Sequence, residues 1–122
     1  MMTLEQLRAQ DAWNRSSPDR YTKEHMKLAK GLPALIMNSG LMQVMAFLQE
    51  KGRKKPQRHC ADLAEDLRLW LHERFQDVPQ DFDGFMTALL KADARKYQAI
   101  TVEAFDWLKW LRQMTAARQE GV

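Results

Sequence analysis

The chain has 122 residues, 45% hydrophobic and 29% charged, which suits one folded domain built on a shared core and excludes a disordered or fibrous chain. Its formal net charge is +3, too small by itself to indicate a polyanion partner. The one cysteine, Cys60, leaves no internal disulfide; with an N-terminal stretch too polar for a signal peptide, the expected compartment is the cytoplasm.

In chain order, Thr3 is placed to cap a first helix, with Gln6 three residues on as its capping-box partner. Leu4, Leu7, Ala12 and Trp13 offer that helix an inner face. Ser16-Ser17-Pro18-Asp19 breaks it, and Asp19 is expected to cap the second helix. Tyr21, His25, Leu28, Leu32, Leu35 and Ile36 then share one side. Arg20, Lys23, Lys27 and Lys30 fall within about 80° of one another on nearly the opposite side, at roughly 100° per residue. Four cations without an intervening acid are read either as a solvated helix face or as a track for phosphates.

Gly31 and Pro33 disturb this helix, so the chain is expected to kink there or to restart with Pro33 in a first turn. Asn38-Ser39-Gly40 reads as a stop, and Leu41, Val44, Met45 and Leu48 make a third amphipathic piece that Gly52 ends. The whole apolar region is too interrupted to span a membrane. Lys51 to Arg58 carries Lys51, Arg53, Lys54, Lys55 and Arg58 with no acid, and its glycine and proline make it a loop.

A long helix is predicted from about Gln57 to Phe75, with Leu63, Ala64, Leu67, Trp70 and Leu71 inward. Asp62, Glu65 and Asp66 are placed outward. Pro79 and the N-cap Asp81 start another helix carrying Phe82, Phe85, Met86, Leu89 and Leu90, which ends near Ala92. After a short turn, Thr101 is expected to cap the last helix, with Glu103 in its first turn. Ala104, Trp107, Leu108, Trp110, Leu111 and Met114 cover more than half of its circumference, which marks it as central. No strand or hairpin signal competes. The fold class is therefore all-α, a single compact bundle of about five to seven helices over residues 1–122.

Two of these stretches carry a resemblance. The first is Leu28-Ala29-Lys30-x-Leu32-Pro33-x-Leu35-Ile36-x-Asn38-x-Gly40-Leu41, followed by Ala46-Phe47-Leu48 and Gly52. The second is Tyr97, Thr101, Glu103 and Ala104, then Trp107-Leu108-Lys109-Trp110-Leu111. In order and separation they resemble the small helical, fifth subunit of the type III-B CRISPR effector, the Cmr complex. The resemblance implies a non-catalytic subunit that stacks in a minor filament beside guide RNA and target RNA. Its implied partners are the other Cmr subunits, notably the backbone subunits, and further copies of itself. RNA phosphates would be met by Arg20, Lys23, Lys27, Lys30, Lys51, Arg53, Lys54, Lys55 and Arg58.

The residues themselves offer no catalytic pattern. His59 and Cys60 are adjacent, so on a helix they point about 100° apart and do not chelate together. His72-Glu73 lacks the second histidine of a metalloprotease helix, and neither a glycine-rich phosphate loop nor a nucleophile elbow occurs. No enzyme activity, metal or other cofactor is expected. Two rival readings stay open: a helix-turn-helix DNA-binding regulator, which Pro33 disfavours, and a helical adaptor that binds only protein. Charge distribution bears on assembly. Up to Arg58 there are eleven Lys/Arg against five Asp/Glu, and beyond it eight against eleven. Copies meeting head to tail would bring unlike charge together, a heterologous contact that propagates instead of closing.

Overall fold

Thr3 opens the fold with the expected capping box: its hydroxyl accepts the Gln6 N–H, and the Gln6 side chain accepts the Thr3 N–H. From there the computed structural model, which describes residues 1–119, places six α-helices and no strand among those residues. They are α1 (Leu4–Arg15), α2 (Lys23–Ser39), α3 (Leu41–Lys51), α4 (Arg58–Arg74), α5 (Phe82–Lys91) and α6 (Ala94–Arg118), with a short 3₁₀ turn at Lys55–Gln57 before α4.

Two predicted caps are corrected. Asp19 lies in the turn before α2, and Thr22 caps that helix instead, accepting the Glu24 N–H. The last helix begins earlier than Thr101, at Asp93, whose carboxylate accepts the Lys96 N–H. Thr101 sits inside α6 with its hydroxyl donating to the Tyr97 carbonyl, which removes the polar competition that would otherwise favour a break. The 25-residue α6 thus absorbs the separate turn expected around Asp93 to Gln98.

α2 runs through Pro33 without interruption and ends at Gly40, whose φ of +84° a side chain would strain. Gly52 ends α3 for a different reason. A Cβ there would come within 2.7 Å of the Ala61 backbone nitrogen on α4, so glycine lets the two helices approach. α5 starts as expected, with Asp81 accepting the Gly84 N–H, but Leu90 faces outward and Phe85 and Leu89 carry its burial.

α6 is central, packed against α1, α2 and α4, while α3 lies against α2 and α4. Trp107, Leu108 and Leu111 of α6 meet a core that includes Leu32 and Ile36 of α2, Leu41, Met45 and Leu48 of α3, and Leu63, Leu67 and Leu71 of α4. α1 contributes less than its pattern promised: Ala12 is buried, whereas Leu7 and Trp13 stand nearly half exposed. One buried carboxylate, Glu103, and one partly buried, Asp11, make up for that thin apolar seam. Glu103 of α6 accepts from Arg8 Nε and Nη2 at 2.7 and 2.9 Å and from Trp70 Nε1 at 3.1 Å, tying α1, α4 and α6 together. Asp11 of α1 accepts from Trp107 Nε1 at 2.8 Å.

No helix among the described residues is long and apolar enough to cross a membrane.

Candidate nucleic-acid interface

The inner face of α2 sets where its lysines go. His25, Ala29, Leu32 and Ile36 are buried at helical spacing, so Lys23, Lys27 and Lys30 emerge on the outer side, and all three are exposed. His25 fixes the start of the helix. Its Nδ1 accepts the Thr22 N–H at 3.0 Å, and its Nε2 lies 2.9 Å from Asp62 on α4, which the Nε2–H tautomer satisfies as donor. The ring also stacks on Tyr21, with centroids 4.4 Å apart.

Arg20 does not belong to this stripe. It precedes α2, and its guanidinium grips Asp66 through two bonds of 2.6 and 2.8 Å while also donating to the Arg15 carbonyl. Asp66, expected outward, is 1% exposed and also accepts the Tyr21 hydroxyl at 2.7 Å. Hydrogen bonding to Asp66 and its charge hold Arg20 firmly protonated against the opposing effect of burial. Burial, reinforced by the Asp66 charge, pushes the Tyr21 phenol far up. A cation so engaged holds the α1–α2 turn on α4.

The second basic segment links α3 to α4 through consecutive turns, with Lys54 N–H on the Lys51 carbonyl and Gln57 N–H on the Lys54 carbonyl. Lys51 lies in the last turn of α3, its ammonium 5.2 Å from the half-exposed Phe47 ring. Arg53, Lys55 and Arg58 rim a shallow cleft of about 240 Å³, but Asp62 and Glu65 line the same cleft. Lys54 is exposed. The beginnings of α2 and α4 meet here: the His25 and His59 rings stand edge to face at 5.9 Å. Burial, with the nearby His25 and Lys51 charges, pulls the His59 pKa down, opposed in part by Glu24 and Asp62.

One basic pairing escaped the sequence reading. Lys30 of α2 and Arg112 of α6 line a cleft of about 230 Å³ together with Met26, Gln113 and Ala116. The signal was available, because Arg112 falls off the apolar face of α6, but only antiparallel packing of α6 on α2 places it beside Lys30.

Comparison with known proteins decides the family: residues 4–118 match the family model of the CRISPR-associated protein Cas_Cmr5. The chain belongs to the Cas_Cmr5 family. A curated relative, the "CRISPR system Cmr subunit Cmr5" of Thermotoga maritima, is 29% identical over 93 residues, which cover 74% of this chain and 63% of the relative. The match therefore spans less than two thirds of that protein's length.

The Cas_Cmr5 match contains every basic residue discussed above. Thr22, His25 and Asp62 do fall in nucleophile–base–acid order, with Thr22 Oγ1 3.0 Å from His25 Nδ1. Yet Thr22 Oγ1 accepts the Glu24 N–H, and Nδ1 is occupied by the Thr22 N–H, so the row is a helix cap. Among the described residues, no three His, Cys, Asp or Glu side chains are grouped to hold a metal ion.

Proposed function

We propose that this chain is a non-catalytic small subunit of a type III-B CRISPR RNA-guided effector, the Cmr complex, in the cytoplasm. It acts as one domain, stacks with further copies of itself beside the backbone subunits, and meets guide and target RNA through phosphates. The lysine face of α2 is the principal contact, with Lys51, Arg53, Lys54, Lys55 and Arg58 as a second, weaker one. Membership of the Cas_Cmr5 family supports the assembly. The observation that carries the RNA contact is that Lys23, Lys27 and Lys30 share one exposed face and have no ion-pair partner among the described residues. Lysine and arginine arrayed without a base-reading surface neutralise phosphates regardless of sequence.

The test is RNA binding by the full chain across a salt series. Affinity should be weak, indifferent to base sequence, and should fall with salt at about 0.7 in the log–log slope per phosphate neutralised on a single strand. Changing Lys23, Lys27 and Lys30 to Glu should flatten that slope by roughly 2, one 0.7 step for each lysine. An unchanged slope and affinity would return the stripe to a solvated face.

A further inference from the structure

Clefts on the surface of the described residues differ in the kind of charge they hold. The cleft under the α3–α4 turn contains Asp62 and Glu65 beside its cations. The groove between α1 and α6 sets Glu5 and Asp106 against Arg8 and Lys109. The cleft between α5 and α6 pairs Asp77 and Asp93 with Lys91 and Lys96, and the one beside Arg68 holds Glu65 and Asp81. In all four, carboxylates answer the positive charge from within the molecule. The groove between α2 and α6 has none among the described residues: Lys30 and Arg112 line it with Met26, Gln113 and Ala116. Neither cation forms an ion pair among the described residues.

We propose that this groove is the seat of a single-stranded RNA segment, and that Arg112 is a phosphate-binding residue equal in weight to Lys30. The inference rests on the RNA-contact reading above and gives the strand a path: off the lysine face of α2, at Lys30, and onto α6. A cleft lined by one sign of charge concentrates the field along its length, so two cations on facing walls attract a polyanion more than the same two on a convex surface. The planar guanidinium of Arg112 suits two oxygens of one phosphate, and Lys30 supplies a point charge to its neighbour. Gln113 brings an amide able to donate to and accept from a ribose 2′-hydroxyl. Met26 and Ala116 give the sugar an apolar surface. An acidic protein segment would answer the charge but leave the amide and the floor without a distinct role.

Titration of the full chain with a fluorescein-labelled, mixed-sequence single-stranded RNA over a salt series tests this directly. Arg112→Gln and Lys30→Gln should each reduce the log–log salt slope by about 0.7, and the double variant by about 1.4. Both residues are exposed; an unchanged thermal melt confirms that each variant is folded. Arg95→Gln removes the same charge from the same helix about 25 Å away at 1.5 Å per residue, and should leave the slope as it is. An equal effect at Arg95 would reduce the groove to bulk charge and overturn the proposal. So would an unchanged slope in both groove variants while Lys23→Gln and Lys27→Gln flatten it, which leaves RNA contact standing without the groove. If the wild-type chain holds no RNA at low salt, both readings fall together. Normal RNA binding by Arg112→Gln with fewer copies loaded into the effector particle would assign the groove to an acidic subunit and overturn it as well.

Discussion

Glu103 shows what one buried side chain settles. Burial raises the cost of its charge, yet the bonds from Arg8 and Trp70, with the charges of Arg8 and Arg74, hold its carboxyl below the ordinary glutamate range. A folded-state pKa below the unfolded one means stability that is full above the ordinary range and is lost as pH falls through the lowered value. Glu103→Gln should therefore cost about 3 kcal/mol at neutral pH, the low end for breaking one side of a buried pair. The gap between the two proteins in urea denaturation should close on acidification. Asp11 works in the opposite sense. Burial raises its carboxyl despite Arg15 and Trp107, so its contribution is present at low pH and declines as pH rises through the raised value. In Glu103→Gln the Glu103 share is gone, so stability should fall less steeply on acidification than in the unaltered chain.

At the scale of elements, two glycines in consecutive helical segments make the physics visible. Gly31 lies inside α2 with nothing within 4 Å of an added Cβ, so Gly31→Ala should stabilise by roughly 0.5–1 kcal/mol through helix propensity and a less mobile unfolded chain. Gly52→Ala should do the reverse, by about 1–3 kcal/mol, because its Cβ would press on Ala61 and force α3 from α4. Paired thermal melts of opposite sign are the expected result. The caps at Thr3 and Asp81, the stop at Gly40 and the inward faces of α3 and α4 were legible because each is written within one or two turns of sequence. Asp19 against Thr22, and Thr101 against Asp93, were not, since several residues can cap and tertiary docking selects one. The exposed lysines were legible from charge alone. Arg20 was misplaced on their helix because its partner Asp66 is 46 positions away, and Arg112 was missed because its neighbour Lys30 lies on another helix.

For the whole molecule, the structure sharpens which charges are available to a neighbour. Asp66 is buried and Asp62 holds His25, so neither can face another copy freely, whereas Glu65 and Glu73 on α4 are exposed. If copies meet head to tail by unlike charge, Lys54→Glu with Lys55→Glu should lower the number of copies per effector particle, read by native mass spectrometry. Glu65→Lys with Glu73→Lys should do likewise, and a mixture of the two variants should recover part of the loss. Exposed pairs contribute at most about 1 kcal/mol each, so free association should stay weak and salt-sensitive. A salt-resistant two-fold dimer retained in the particle would refute that arrangement.

Three bonds that hold α1 reach forward to the end of the chain: Arg8 to Glu103 across 95 positions, Asp11 to Trp107 across 96, and Trp13 to Arg118 across 105. Contacts of such separation form late, because a long loop must close before they contribute anything. On the ribosome, the first helix to emerge is consequently among the last to find its place. A nascent chain arrested at Lys91 would carry α1 to α5 with Arg8 still lacking Glu103 and Asp11 still lacking Trp107, and protease added to it should cut between α1 and α2. Release of the completed chain should close that site.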